Sequence, residues 1–296
     1  MTSVPTVDVF EHERPRLFAL AYAFLGSRAD AADIVQDAWL RWHDRADSVR
    51  DPAAWLTTIT SRLALDRLRS AQARRETYPG VWLPEPVVDA PSAEENALRQ
   101  ADLSLAFLFL LERLAPEERA AFVLREVFDY SYSDIAAALE KSEAACRQLV
   151  TRARERVRRN QIRRPVDPAE FDNVLGQYVA AIAAGDERTL LQLIAPEAML
   201  YGDGGGKAPS IINPLAGADR IIRFLLGLRR KYPDQLEIRP VRVNGQPGSM
   251  LFRNGERIGV SAYEIAEGRI QNMYHVANPD KFSGAPGLHH PSPPTP

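Results

Sequence analysis

The sequence predicts a multidomain protein: two all-α domains, the second built around a helix-turn-helix, followed by an α+β domain with a bent antiparallel sheet. Three observations carry this. Apolar residues recur at helical spacing almost continuously to about Arg159, broken by one proline-rich stretch. Two capped helical segments within 131–158 stand at helix-turn-helix spacing. Beyond Pro168 the pattern passes through one more long helix into short runs of β-branched and aromatic residues divided by Asn-Gly and Glu-Gly turns. At 296 residues the chain exceeds one ordinary core, so two or three domains of roughly 60–130 residues are expected.

The first domain is expected over 9–76. Leu17, Leu20, Ala21 and Phe24 mark one apolar helix face, and Ala32, Val35, Trp39 and Trp42 a second. Asp51-Pro52 opens a third helix, with aspartate at the N-cap and proline first inside, running through Trp55, Ile59, Leu63 and Leu68. Pro79, Pro84, Pro86 and Pro91 then remove helix potential, which gives a proline-rich linker over 77–95. Helical periodicity returns near Asn96, and the second domain spans 96–160, with breaks at 115–116, 129–131 and 140–142. The third is expected over 167–283. It opens with a helix from Pro168 to Ala184, a Gly185-Asp186 turn and a short helix to Ile194. Strands follow from Leu236 to Val243, Ser249 to Arg253, Ile258 to Ile265 and Ile270 to Val276. The tail, 284–296, has the composition of a disordered segment.

Apolar residues at 45% and charged residues at 26% describe a soluble globular chain, with no apolar run long enough for a bilayer. The first residues lack the basic start and apolar stretch of a secretory signal, so a cytoplasmic location is expected and no membrane partner. A single cysteine, Cys146, excludes an intrachain disulfide and a cysteine-based zinc site. The net charge of −2 hides a cluster: between Lys141 and Arg164 nine basic residues stand against Glu143 and Glu155.

That cluster has a readable arrangement. Ser131 and Asp134 form a capping box, and Ser142 caps the next helix three residues after the first ends. On a helical wheel Cys146, Leu149, Val150, Ala153 and Val157 make one apolar seam. The opposite face carries Ala144, Gln148, Thr151 and Glu155, flanked by Arg147, Arg154 and Arg158 on one side and Arg152 and Arg156 on the other. Short polar side chains that reach base edges between arginines that grip phosphates are what a recognition helix requires. Gln148 suits adenine in the major groove. The plain alternative is a solvated basic helix face. In the first domain Arg62, Arg67, Arg69, Arg74 and Arg75 follow Trp55, Thr57, Thr58, Thr60 and Ser61, a pattern suited to single-stranded DNA. Trp55, though, stands at core spacing with Ile59.

These residues resemble the extracytoplasmic-function sigma factors, DNA-reading subunits of RNA polymerase. The segment AADIVQDAWLRW (31–42) looks like the family's helix that binds the clamp of the polymerase large subunit. The resemblance implies core-polymerase contacts from Asp33, Gln36, Asp37, Trp39 and Arg41. DPAAWLTTI (51–59) through LDRLR (65–69) looks like the minus-10 reader, which implies DNA contacts from Trp55, Thr58, Ser61, Arg62, Arg67 and Arg69. The helix-turn-helix matches the minus-35 reader, with Ala144, Arg147, Gln148, Thr151, Arg152, Arg154 and Arg158 as implied contacts. Core RNA polymerase, through its clamp and flap, and promoter DNA are the implied partners. Ser61 stands where many members have asparagine and Leu149 where many have arginine.

Within that family the chain resembles the SigJ-type subgroup with an NTF2/SnoaL-like cone as C-terminal extension. WLPEP (82–86), DGGGK (203–207) and NPDKF (278–282) carry the likeness, with Phe282 where the subgroup typically has leucine. In the subgroup this region is thought to act in cis on the sigma domains. The resemblance therefore implies regulatory contacts at Trp82, Pro84, Asp203, Gly205, Lys207, Asn278, Asp280 and Lys281, and an intramolecular contact with the sigma domains. Domains similar to SnoaL also include polyketide cyclases, which use a pocket carboxylate as acid and base. Asp203 is the candidate for such a role, and His275 lies in an expected strand, but no second partner is visible for a constellation. The glycines of 204–206 lack phosphate-loop spacing. No catalytic residue, cofactor or metal ligand is assigned. Two function classes stay open: an initiation factor with a built-in regulator, and a DNA-binding protein whose pocket senses a ligand or catalyses.

Overall fold

The structure, a computed structural model, describes residues 6–88, 93–101, 103–159 and 167–281. The expected tail from 284, Phe282, and Arg163 and Arg164 of the basic run lie outside the described residues. The chain divides into two compact units, one from Met1–Thr77, Pro91–Leu103 and Phe107–Ile162, the other from Tyr78–Ala90, Ser104–Ala106 and Arg163–Pro296. The two helical domains expected separately thus fall in one unit, and residues 78–88 of the expected linker fall in the other.

The first unit is helical: α1 (Thr6–Leu25), α2 (Arg28–His43), α3 (Pro52–Arg75), α4 (Ala93–Gln100), α5 (Leu105–Leu111), α6 (Pro116–Phe122), α7 (Tyr132–Leu139) and α8 (Glu143–Arg159). Caps fix the starts. The Ser27 hydroxyl accepts the Asp30 amide at 3.2 Å, and the Asp51 carboxylate accepts the Ala54 amide at 3.0 Å with Pro52 just inside. The Leu17–Leu25 stretch of α1 is fully buried apart from an 8% exposure at Phe18, so α1 is the axis on which α2, α3 and α4 pack. Trp42 of α2 lies 5.9 Å from Trp55 of α3, ring centre to ring centre.

After α6 the backbone runs into a π-helical turn, Val123–Val127, and Asp129 takes a left-handed φ of +53°. The extra residue in that turn is the physical reason the sequence shows a break at 129–131. Ser131 then caps α7, accepting the Asp134 amide at 3.2 Å, and Glu140 ends it at φ +54°. Ser142 caps α8 by accepting the Ala145 amide at 3.2 Å. Cys146, Leu149, Val150 and Ala153 are the buried seam of α8.

In the second unit, α9 (Pro168–Ala184), α10 (Glu187–Leu193) and α11 (Ala218–Lys231) cover a six-stranded sheet. Its strands are β1 (Ile194–Asp203), β2 (Leu215–Ala216), β3 (Leu236–Val243), β4 (Gln246–Arg253), β5 (Glu256–Ala266) and β6 (Arg269–Val276), in the order β2-β1-β6-β5-β4-β3. Tyr178, Leu190, Ile194, Leu200, Ile221, Tyr263 and Met273 belong to the core between helices and sheet. Three hairpins turn through paired left-handed residues: Asn244 (φ +53°) with Gly245, Asn254 (φ +52°) with Gly255, and Glu267 (φ +54°) with Gly268. Two successive positive φ values define the turn that matches strand twist, which is why Asn-Gly marks two of the three.

The sheet corrects the expectation of an all-antiparallel one. β1 runs parallel to β6, pairing Leu200 with Met273 and Gly202 with His275. The alternation that would have announced β1 is broken by a register shift between Ile194 and Met199, where Pro196 and Glu197 face solvent. The linker expectation is corrected as well. Residues 78–88 are not a free tether: Val88 bridges Val243 antiparallel, and Asn244 gives its amide to the Val87 carbonyl at 2.7 Å while its side-chain oxygen accepts the Val87 amide at 3.0 Å. Proline excludes a helix here but leaves carbonyls and apolar rings for packing, and Leu83, Pro84, Pro86, Val87 and Val88 are all buried.

Removing the Ser131 hydroxyl deprives α7 of its cap, so Ser131→Ala is expected to lower the stability of the first unit by about 1 kcal/mol. Denaturant unfolding of the full chain, followed by the α-helical signal, checks this; an unchanged midpoint would contradict it.

Candidate nucleic-acid interface and linker-docking site

On α8 the capped start and the buried seam turn the opposite face outward. Ala144, Arg147, Gln148, Thr151, Arg152, Arg154 and Arg158 are all exposed. Arg147 pairs with Glu143 at 3.0 Å and lies over the Tyr132 ring at 4.5 Å, and Arg154 pairs with Glu126 at 2.7 Å. Arg152 and Arg156 both pair with the buried Glu118 carboxylate of α6, at 3.2 and 2.6 Å. Glu118 was not legible as a partner, because it sits in another helix 34 residues away.

Along α2, Asp33, Gln36, Asp37 and Arg41 are exposed together with Leu40, which keeps 57% of its surface. Trp39 is half-buried between Phe10 and His43, at 5.0 and 5.6 Å between ring centres. Along α3 the implied minus-10 contacts divide. Trp55 and Thr58 are half-buried, whereas Ser61 is fully buried with its hydroxyl unpartnered, as is that of Thr60. Arg67 pairs with Asp30 at 2.6 Å, and Arg69 with Asp66 at 3.0 Å and Glu117 at 2.9 Å. Arg62 donates to the Ala137 and Ala138 carbonyls at 2.8 and 3.3 Å.

In the second unit the three short motifs converge. Asp203, fully buried at the end of β1, accepts hydrogen bonds from the Tyr78 hydroxyl at 2.5 Å, the Leu83 amide at 2.9 Å and the Lys281 ammonium at 2.7 Å. Lys281 also donates to the Leu83 carbonyl at 2.5 Å, and its charge stands 4.0 Å from the Trp82 ring centre and 5.1 Å from that of Tyr78. Asn278 donates to the Tyr78 hydroxyl at 3.0 Å. Burial first, then the bond to Asp203, pushes the Tyr78 phenol above its usual range, so it remains a donor.

Gly205, at φ +59°, lets this cluster close: a Cβ there would stand 2.2 Å from Asn278 Nδ2 and 2.9 Å from the Tyr78 hydroxyl. Lys207 pairs with Asp280 on the surface, both side chains more than half exposed. Trp82, Asp203, Gly205, Asn278 and Lys281 thus meet at one point, Pro84 is buried beside it in the chain, and Lys207 with Asp280 forms a rim. Sequence reasoning missed Tyr78 and Asn244, the two anchors at either end of the docked segment. The Asn-Gly turn was the only signal for the second.

The acid-base alternative finds little support in this geometry. Asp203 spends its lone pairs on three donors, and His275 bonds through Nδ1 to the Ser261 hydroxyl at 2.9 Å, not to a carboxylate. Burial lowers the His275 imidazole to about 4. A cavity of about 430 Å³ is lined by Leu191, Ile194, Gly217, Arg220 and Arg223 among others, and neither Asp203 nor His275 lines it.

Residues 9–74 match the Sigma-70 region 2 family and residues 104–157 the Sigma-70, region 4 family. Relatives that match nearly the whole chain are ECF sigma factors, and the chain belongs to this family of extracytoplasmic-function RNA polymerase sigma factors, which direct transcription initiation. The particular likeness is to the ECF RNA polymerase sigma factor SigJ of Mycobacterium tuberculosis, 41% identical over 95% of this chain and 94% of SigJ. The crystal structure of that SigJ matches with a TM-score of 0.80 at 38% identity, covering 95% of this chain and 99% of SigJ's. The probable ECF sigma factor SigI of the same species is 31% identical over 93% of this chain and 94% of its own length. No helix among the described residues is long and apolar enough to cross a membrane.

Two outcomes test this site. Lys281→Met leaves the Asp203 charge buried without its cation and is expected to cost the second unit about 3–5 kcal/mol, of which Asp203→Asn in the same chain restores a part. Chemical denaturation of the four members of that cycle measures it, and additive effects would contradict the pairing. His275 gives a pH dependence. Its folded pKa is depressed, so its contribution is complete above about 6.5 and is lost as pH falls toward about 4, by no more than roughly 3 kcal/mol. Melting temperatures of wild type and His275→Asn should converge over that interval; parallel curves would count against it.

Proposed function

We propose that this chain recognises its promoters through α3 and α8, binds core polymerase through α2, and is governed in cis by the docking of residues 78–88 on its C-terminal domain. In this reading Asp33, Gln36, Asp37, Trp39 and Arg41 meet the polymerase clamp. Trp55, Thr58, Ser61, Arg62, Arg67 and Arg69 act at the melted minus-10 element. Ala144, Arg147, Gln148, Thr151, Arg152, Arg154 and Arg158 act at minus-35. The exposure of the α8 set and its arginine-flanked polar face support the last of these.

The single observation that carries cis control is the Asp203–Lys281 pair closed around the Leu83 backbone. A linker free in solution reaches roughly 3.3–3.6 Å per residue, whereas the same residues held along a folded domain have a fixed span. Docking therefore limits how far two promoter-reading domains joined by that linker can separate. Because the regulator is tethered, its effective concentration is on the order of millimolar, and a modest interface suffices. This reading needs no catalysis by the C-terminal domain and puts the chain in the cytoplasm, where polymerase and promoters are.

Transcription from a genomic fragment library by core polymerase and the purified full chain provides the test. Fragment-specific transcripts are expected, with a yield changed several-fold in the Asp203→Asn/Lys281→Met chain. Unchanged yield would sink cis control. A yield insensitive to Gln148→Ala and Arg147→Ala would sink the minus-35 assignment.

A further inference from the structure

The helical unit neutralises most arginines of α8 on acidic side chains, and α11 of the second unit does the opposite. Arg220, Arg223, Arg230 and Lys231 are exposed, and none has an acidic partner among the described residues. On a helical wheel these four fall within about 100° of arc, opposite the buried Ala218, Ile221 and Ile222. The remaining cation of the helix, Arg229, turns away from them and donates to the Ala183 carbonyl at 3.0 Å. Asp219, the one acidic residue of α11, lies in the first turn. Its backbone carbonyl, not its carboxylate, receives the Arg223 guanidinium, at 3.2 Å.

Helix electrostatics explain only half of this stripe. Arg230 and Lys231, in the last turn, suit the partial negative charge at that end. Arg220 and Arg223 stand toward the opposite end, where the partial charge is positive and cations are disfavoured. Gly227 lies on the same face, between the two pairs of cations. A glycine inside a helix costs stability relative to alanine and is kept where packing or close approach requires it. Packing does not require it here, because a Cβ at Gly227 would meet nothing within 4 Å. It leaves bare backbone in the middle of the stripe, open to close approach from outside. Just past the helix, the Tyr232 ring centre lies 5.2 Å from the Lys231 ammonium and 5.5 Å from the Arg253 guanidinium of β4, so it attracts both cations without cancelling their charge.

We propose that the outer face of α11 is a nucleic-acid-binding surface of the C-terminal domain, on which Arg220, Arg223, Arg230 and Lys231 hold the phosphate backbone of duplex DNA without reading its sequence. From Arg220 to Lys231 the helix rises about 17 Å, a length over which one strand of a duplex presents about five phosphates. α11 contains no serine, threonine, asparagine or glutamine, so its face offers charge to phosphates and nothing to base edges. Duplex DNA is the polyanion to which a transcription initiation factor is delivered. The surface adds affinity, and a salt dependence, to whatever sequence the sigma domains select. It does not depend on which residues of those domains read the promoter.

The full chain carrying Arg220→Gln, Arg223→Gln, Arg230→Gln and Lys231→Gln tests this by anisotropy of a labelled random-sequence duplex, titrated between about 50 and 200 mM salt. The variant is expected to bind on the order of tenfold or more weakly at the low-salt end, and its plot of log affinity against log salt to be shallower by about three units. Gly227→Glu adds an acid to the face and removes no cation; it is expected to weaken binding several-fold. An unchanged salt slope in the fourfold variant overturns the proposal, even where affinity falls at one salt concentration. An anionic membrane is the other surface that a basic amphipathic helix fits. Sedimentation with phosphatidylglycerol vesicles that the four substitutions abolish, beside an unmoved DNA salt slope, would give the face to a membrane and overturn the assignment to DNA.

Discussion

A lysine ammonium removed from water must be answered by fixed acceptors, and in the C-terminal unit those acceptors, the Leu83 carbonyl and the Asp203 carboxylate, stand 120 residues apart in the chain. Lys281 lies close to the carboxyl terminus; Asp203 ends a strand in the sheet, and the Leu83 carbonyl belongs to the proline-rich segment. None of the three is satisfied without the others. A lysine without the Leu83 carbonyl loses a strong acceptor, and Asp203 without the Leu83 amide and Tyr78 keeps a buried charge with too few donors. The segment 78–88 is therefore structurally part of a domain that begins in sequence some ninety residues later, on the order of the length of a small domain. Its far end is closed by a different device, the side-chain oxygen and amide of Asn244, both freed by a turn whose left-handed backbone takes them out of the hairpin ladder.

The helical unit solves a related problem with weaker means. A protein that reads DNA carries many arginines, and in the absence of DNA each must be solvated or neutralised. Here most are neutralised locally: Arg152 and Arg156 on Glu118, Arg154 on Glu126, Arg147 on Glu143, Arg69 on Glu117 and Arg67 on Asp30. The whole-chain balance of −2, 37 basic against 39 acidic residues, is blind to such local pairing and clustering, which is why it says little about affinity for nucleic acid.

Much of this was written in local sequence. The caps at Asp51, Ser131 and Ser142 and the seam of α8 depend only on neighbours within a turn or two, and residue type and periodicity expose them. The hairpins after Leu236 were legible for the same reason, as each turn carries its own glycine. What depends on distant chain was not. β1 is interrupted by an exposed Pro196-Glu197, and its parallel partner lies seventy-odd residues on, roughly the separation a crossover connection allows. The segment 78–88 reads as linker because proline-rich composition signals only the absence of helix, not whether the extended chain meets a partner. Tyr130 was invisible because the π-helical turn that projects it follows from packing, not from any residue preference. The motif residues from 82 to 281 were legible by family likeness, but nothing in their spacing said that they would meet at one carboxylate.

The two sets of contacts differ in what can open them. Pairs such as Arg69 with Glu117 or Arg62 with Glu140 leave side chains from about a third to nearly three-quarters exposed, so salt screens them and a phosphate competes on equal terms. A binding partner does not have to supply much to replace them. Lys281 and Asp203 are 10% and 0% exposed, and the same screening does not reach them. Releasing residues 78–88 would uncover that charge pair together with Leu83 and Pro84, a step that a change in ionic strength alone would not drive. The chain thus combines contacts on α3 that are easily exchanged with a segment, 78–88, held by contacts that are not. Anything that released residues 78–88 would therefore have to engage the buried node itself, as a binding partner or ligand that favours the undocked segment over the docked one would.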